Sequence, residues 1–348
     1  MLSLSLSLAL LPSLVPQLGG IVRSPTAADC LRRSSTVVAQ NSQVDPVELA
    51  RMQEKAKKLD PDAAALLEEV DGDAQKARAS HMGYTLAYVK EALPELYELI
   101  RTDPKHPDAH RALVEVTWDA IAAFLPVTHE PTLTAAAKQK LTAVARAGCD
   151  GSTEAPSVLD VGCGNGLLLP FVTACDTAST YRGIDVSEGM IERAQAAHAG
   201  DPMANGATFE SLSFGEVLQQ SEESPISYDA VFFNGALQFF AEPAAAIADA
   251  AKLLERKPSS RLVLSHLNGA AFVRTEREDN PQTVLSAMPT LAQLASIAEP
   301  LGLQVVLPAF YGEQPDDIAR GLDDFYLVVL RWDDLALLGA EAPEEVPV

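Results

Sequence analysis

Uninterrupted apolar stretches, basic charge and paired cysteines are all scarce in this chain of 348 residues, and each scarcity closes off a class of function. The opening MLSLSLSLALLPSLVPQLGG alternates Leu with Ser and is broken at Pro12 and Pro16. Its apolar run falls short of the roughly 20 residues that a bilayer-spanning helix needs, so no stable membrane insertion is expected. Lys and Arg number 26 against 48 Asp and Glu, a net charge of −22, which opposes recognition of nucleic-acid phosphates. Cys30, Cys149, Cys163 and Cys175 show neither CxxC spacing nor the density of a disulfide framework, and read as free thiols in a reducing compartment. His106 and His110 stand four apart on an expected helix, but no third ligand accompanies them. A solvated helix face, and no metal, is the reading.

What is present is enough apolar content, 47%, for a buried core, and three changes of texture along the chain. Residues 1–40 are poor in acid and carry Arg23, Arg32 and Arg33 with Asp29 alone against them after the first twenty residues. Such a leader resembles an organelle transit peptide, and a plastid address is expected; a disordered tail without an address is the alternative. Residues 41–150 show no strand-like alternation, only helix-length segments broken at Asp45-Pro46, Asp60-Pro61, Asp103-Pro104 and Pro126, and predict a helical extension. In PDAHRALVEVTWDAIAAFL, Leu113, Val116, Trp118, Ile121, Phe124 and Leu125 recur near helical spacing, giving that helix a face to bury. Tyr84, Tyr88, Tyr97, His81 and His129 read as packing or structural residues. The last stretch, residues 336–348, is an acidic, Pro-containing tail.

From residue 151 to 335 short β-rich runs alternate with helical segments: SVLDV, TYRGIDV, ATFESL, YDAVFFN, RLVLSH, LQVVLPAF and FYLVVLRW. This pattern predicts an α/β doubly wound, mostly parallel sheet, on which ligands bind outside the carboxyl ends of the strands. The first run is followed by a glycine turn, VLDVGCGNG, where the absence of Cβ lets a ligand approach the backbone. Gly162, Gly164 and Gly166 read G-x-G-x-G, with Asp160 two residues ahead. Dinucleotide sites use G-x-G-x-x-G beside a pyrophosphate. A carboxylate at this strand end suits a cofactor that carries an ammonium and a sulfonium.

These residues resemble the first motif of the class I S-adenosylmethionine-dependent methyltransferases, and two further stretches continue the resemblance. YRGIDVSEGMIERA ends its strand in Asp185, where the family's acid accepts hydrogen bonds from both ribose hydroxyls, and Met190 begins the next helix near the adenine. YDAVFFNGALQFFAEP is similar to the family's fourth motif, beside the transferable methyl. The resemblance covers roughly residues 156–333. It implies a Rossmann-like seven-stranded sheet with the last strand antiparallel, S-adenosylmethionine as cofactor, and cofactor contacts from Asp160, Gly162, Cys163, Gly164, Gly166, Asp185, Met190 and Asn234. Gln238 is implied to line the substrate side; polar capping of the strand-to-helix turn is the alternative for Asn234 and Gln238. Asp229 is expected to be structural.

The chain departs from the family where an acid usually follows the third strand. ATFESLSFGEV offers Ser211 or Ser213 instead, and Ser213 is expected to take the adenine contact. His266, at the end of RLVLSH, is the candidate general base, having a side chain suited to accepting a proton near neutrality; a loop-anchoring role is the alternative. The helical extension and the stretch AAFVRTEREDNPQTVLSAMP are expected to cover the acceptor pocket. The resulting expectation is methyl transfer to a small-molecule acceptor. Three alternatives remain: a protein acceptor, a non-catalytic scaffold that keeps the cofactor fold, and an NAD-dependent oxidoreductase, which the glycine spacing disfavours.

Overall fold

The computed structural model describes residues 107–122, 133–149, 155–175 and 180–334, with single positions at 98, 102, 103 and 337. The leader, the tail beyond residue 337, and His81, Tyr84, Tyr88, Tyr97, His106 and His129 lie outside the described residues. Among the described residues two full helices come first, α1 (Pro107–Ala122) and α2 (Ala135–Cys149). An alternating series follows: β1 (Ser157–Val161), α3 (Leu169–Thr173), β2 (Thr180–Asp185), α4 (Glu188–Ala197), β3 (Ala207–Ser211), α5 (Phe214–Glu223), β4 (Ala230–Asn234) and α6 (Pro243–Leu253). The series closes with β5 (Arg261–His266), α7 (Gly269–Asp279), α8 (Leu291–Ala298), β6 (Leu303–Val306), α9 (Pro315–Asp324) and β7 (Tyr326–Trp332). All seven expected strands form. The sixth is cut to four residues because Pro308 cannot donate to a ladder.

The seven strands make one sheet in the order β3-β2-β1-β4-β5-β7-β6. Pairings from β3 through β5 are parallel, and β7 runs antiparallel to both β5 and β6. The chain reverses its direction of travel across the sheet between β1 and β4, which opens a crevice at their carboxyl ends. Because side chains alternate across a strand, the two faces collect different residues. Leu159, Phe233, Leu264 and Val328 face a layer that includes α5, α6 and α8, while Val158, Phe232, Val263 and Leu327 face α2 and α3. On that second face α2 lies so close that a Cβ at Gly148 would stand 2.1 Å from the Phe232 ring.

Local signals in the sequence fix the helix starts. Ser187 accepts from the Met190 N–H at 3.1 Å and caps α4. Ser213 with Glu216, and Thr290 with Gln293, form reciprocal capping boxes for α5 and α8. Asp229 accepts from both the backbone N–H and the hydroxyl of Ser157 and pairs with Lys257, tying β4 to β1 from below the core, as expected of a structural acid.

The sheet also buries one carboxylic acid. Asp160 stands in β1 opposite Gly183 of β2, and the Tyr181 hydroxyl donates to its Oδ2, while Oδ1 has no hydrogen-bond partner among the described residues. Burial drives its pKa up to about 7, the Tyr181 bond works against this, and the charge of Asp185 adds to it. A free carboxyl titrates near 3.8. Between those values the folded chain therefore retains a proton that the unfolded chain has released. The group's contribution is fully present below about pH 4 and is lost as the pH rises through 7. Glu216, held below its usual range by the Ser213 bonds, tilts the profile the other way at lower pH. The difference between wild type and Asp160→Asn isolates the buried acid. Urea unfolding across pH 4 to 8 should show wild type losing stability relative to the variant, at a rate approaching about 1.4 kcal/mol per pH unit between about pH 5 and 6 and levelling off above neutrality; parallel profiles would contradict the buried, protonated acid.

Candidate functional site

The carboxyl ends of β1, β2, β4 and β5 open into a cavity of about 390 Å³. Its floor is the glycine turn after β1. The N–H groups of Gly162 and Cys163 both donate to the Ile184 carbonyl, at 2.8 and 2.9 Å, which lashes the turn to β2. Gly162, Gly164 and Gly166 all have positive φ, a conformation that side chains strain. Their surroundings differ: a Cβ on Gly162 would meet the Ala236 Cβ at 2.7 Å, whereas one on Gly164 would meet nothing within 4 Å. Gly162 is therefore glycine for packing, and Gly164 bares its backbone to the cavity.

Asp185 ends β2 at the cavity wall. Its Oδ2 accepts from the Gly164 N–H and its Oδ1 from the Ser187 N–H, both at 2.9 Å. Burial raises its pKa, and these two bonds oppose the rise. A carboxylate has about four acceptor sites, so both oxygens retain capacity toward the cavity. Met190, buried under Val114 and Trp118 of α1, adds an apolar wall next to Asp185. Cys163 lies in the same wall, its thiol pKa raised well above the ordinary value, by burial first and then by the charges of Asp185 and Asp160; it is an apolar filler here, not a thiolate. Behind the turn, His198, next after α4, lies 3.0 Å through Nε2 from the Gly166 carbonyl and stacks on Phe209.

At the β4 end, Asn234 lines the cavity with its Oδ1 accepting from the Ser265 hydroxyl at 2.9 Å, which turns the amide N–H groups away from β5. Phe239 and Phe240 follow, Phe239 meeting the Trp118 indole edge-on with centroids 5.8 Å apart. α1 thus closes the cavity from above. At its other end His110 Nε2 donates to the Thr283 carbonyl at 3.0 Å, joining α1 to the segment between α7 and α8, whose Leu285 also lines the wall.

Several sequence expectations meet a different arrangement. His110 is half-buried at the cavity, its pKa lowered chiefly by burial, and is not on a solvated face, because α1 packs down on α4. Gln238 is fully buried and does not line the cavity: its side-chain amide turns back to donate to the Gly235 carbonyl at 2.9 Å, and its backbone carbonyl accepts from the N–H groups of Leu285 and Ser286. Its work is the capping alternative. Ser213 reaches the wall, but its hydroxyl is engaged with Glu216 at 2.6 Å in the capping box, which leaves at most one lone pair for a ligand. Asp160 is not part of the wall. His266 does line it, yet burial, with the Lys140 charge adding, pushes its pKa down to about 3. Its Nδ1 accepts from the Asn268 N–H at 3.3 Å, so the neutral ring carries its proton on Nε2. A ring with so low a pKa, its bare nitrogen already engaged, is a weak proton acceptor, and the contact with Asn268 matches the loop-anchoring alternative.

From the helical extension expected as a cap, α1 contributes His110, Arg111, Val114 and Trp118 to the cavity wall, and Leu285 joins them from the stretch after β5. The amphipathic pattern does not single out which of these side chains face the cavity. Nor did the pair Phe239-Phe240 announce itself as wall; with Phe214 and Phe233, Phe240 forms an edge-to-face cluster backing the cavity.

The site's residues fit an adenosine-bearing sulfonium cofactor: an accessible backbone at Gly164, an acid with spare acceptor capacity at Asp185, and an apolar slot beside Met190. Comparison with known proteins agrees. A family model described as a methyltransferase domain matches residues 152–304. The malonyl-[acyl-carrier protein] O-methyltransferase of Hahella chejuensis (strain KCTC 2396) is 33% identical over 132 residues, 37% of this chain and 41% of the relative. The chain thus matches about two fifths of that relative's length. Among solved structures, an O-methyltransferase family protein from Burkholderia thailandensis is 15% identical, with a TM-score of 0.46, covering 95% of this chain and 94% of its own. Magnesium protoporphyrin IX methyltransferase from Synechocystis PCC 6803 is 22% identical with a TM-score of 0.38, over 56% of this chain and 83% of the other. Sheet order, glycine turn and family model converge on residues 152–304, which match a methyltransferase domain.

Proposed function

We propose that the protein transfers a methyl group from S-adenosylmethionine to a small-molecule acceptor. The observation that carries this reading is a single cavity walled jointly by Gly164, Asp185, Met190 and Asn234, which brings the cofactor residues and the segment after β4 to one place. The cofactor supplies a sulfonium-activated methyl group, whose donation leaves a neutral thioether. The chain's own part is to hold donor and acceptor in line, which lowers the barrier through orientation. Asp185 accepts from the ribose hydroxyls, the Gly162–Gly164 backbone receives the methionine end, and Met190 with Leu212 flanks the adenine. Asn234, with its amide fixed by Ser265, presents N–H donors near the point of transfer.

The acceptor side is concave and largely apolar, with Trp118, Phe239, Phe240 and Leu285 in its wall, and this favours a compact molecule over a protein tail. The two histidines at the cavity are weak bases: burial lowers the pKa of His110 and drives that of His266 down to about 3, with the His266 Nδ1 already accepting from the Asn268 N–H. The fit is therefore to a nucleophile that loses its proton without a strong base, such as a carboxylate, an acidic phenol or a thiol. The curated relative is named for O-methylation of malonyl-[acyl-carrier protein], so small carboxylates head the acceptor screen.

Two measurements test this reading. Calorimetric titration of the full chain with S-adenosylmethionine and S-adenosylhomocysteine should show one site, weakened in Asp185→Ala by about 1 to 3 kcal/mol, the range for lost hydrogen bonds to a charged group. A folded wild type that binds neither ligand would sink the assignment. Substitution in the glycine turn should separate binding from stability. Gly164→Ala places its methyl in open cavity and should lower cofactor affinity, with about 1 to 2 kcal/mol of backbone strain. Gly162→Ala drives its methyl onto Ala236 and should cost more stability than Gly164→Ala does in the same thermal melt.

A further inference from the structure

Helix α1 lies outside the segment matched by the family model, yet it touches the cofactor acid through one intermediary. Asp119 Oδ1 accepts from the Ser187 hydroxyl at 2.7 Å and from the Gly189 N–H at 2.9 Å. Ser187 is fully buried, its hydroxyl caps the Met190 N–H, and its backbone N–H is the donor to Asp185 Oδ1. Asp185 in turn holds the Gly164 N–H of the glycine turn. A continuous line of hydrogen bonds therefore runs from α1 through the start of α4 to Asp185 and on to Gly164.

The contact between α1 and α4 is built for this. A Cβ on Gly189 would stand 3.1 Å from Asp119 Oδ1 and 3.2 Å from the Ala122 Cβ, so glycine is what lets the carboxylate reach the helix start. One turn further along α4, Arg193 donates to the carbonyl of Ala122, the last residue of α1, at 3.0 Å. Each helix thus places a charge on its partner's end with the sign that the helix dipole favours: a carboxylate at the amino end of α4 and a guanidinium at the carboxyl end of α1. Asp119 also supplies an N–H acceptor for α4 beyond what Ser187 gives as N-cap, because Gly189 lies in the first turn where the helix has no carbonyl to offer.

We propose that Asp119 is a positioning residue for the cofactor site, holding Ser187 so that Asp185 faces the ribose, and that α1 thereby completes a cofactor site whose glycines and acid lie in the family domain. This rests on Asp185 as the ribose acid. An aspartate-to-asparagine change keeps an oxygen acceptor for both donors, whereas alanine removes it, so the pair separates positioning from packing.

The experiment is titration of S-adenosylhomocysteine into wild type, Asp119→Asn and Asp119→Ala, with thermal melts and amide hydrogen exchange of each ligand-free protein. The expected result is a loss of about tenfold in affinity for Asp119→Ala, recovered to within about threefold by Asp119→Asn, together with faster exchange at Gly164 and Ser187 in the alanine variant. Should Asp119→Ala fail to fold, Ser187→Ala takes its place, since it removes the hydroxyl and leaves Asp119 on the Gly189 N–H. A lowered melting temperature with unchanged affinity and unchanged exchange at Gly164 would overturn the proposal and leave Asp119 as a packing contact. Absence of binding by wild type would instead overturn the reading of Asp185 on which the proposal stands.

Discussion

The carboxylate of Asp185 is the point on which the site depends. One oxygen restrains a glycine turn and the other restrains the first turn of α4, so a single side chain fixes the separation between β1's loop and β2's helix. Charge-assisted hydrogen bonds of this kind are stronger than neutral ones, and here they act where the backbone has no ladder or helix to hold it. The price is a carboxylate drawn partly out of water, visible in its raised pKa, and tolerated because each oxygen receives an N–H. The neighbouring Asp160 shows the other solution to the same problem. Buried in the sheet with one hydroxyl partner, it relieves the desolvation cost by holding a proton more tightly.

Much of this was legible from residues alone. Seven strands form where seven short β-rich runs were read, because such runs between helical segments are a local signal, and the last strand's antiparallel setting followed from the family resemblance. Asp185 and the glycines likewise sit where a motif read from spacing placed them. What could not be read is the direction in which a polar side chain turns once the strand ends. Gln238 and Asn234 lie four positions apart in one motif, and one folds back on Gly235 while the other lines the cavity. Leu285 and Ser286, whose N–H groups donate to the Gln238 backbone carbonyl, cover that residue from a part of the chain more than forty positions away.

His266 illustrates a related limit. A histidine at the carboxyl end of a strand reads as a base from sequence because its free pKa is near neutrality, but the surroundings that depress it come from parts distant in the chain. Lys140 of α2 donates to the Leu267 carbonyl at 2.6 Å and to the Asp324 carbonyl at 2.9 Å, fixing a cation beside the ring and closing the loop over it. Sequence separation of more than a hundred residues hides that contact from any local pattern. The same holds for α1: a covering role over the pocket was expected of the helical extension, but the contact of Asp119 with Ser187 and Gly189 belongs to tertiary structure.

Helix α4 touches the glycine turn twice, since Asp185 precedes it and His198 follows it, reaching Gly166. Successive residues of an α-helix are rotated by about 100° and advanced by about 1.5 Å. One residue more or fewer between these two anchors would swing the imidazole off Gly166 while Asp185 stayed in place. The ten residues from Glu188 to Ala197 therefore work as a ruler. Their number is constrained even where their exposed side chains are not, so this helix should tolerate substitution along its outer face far more readily than any change in length.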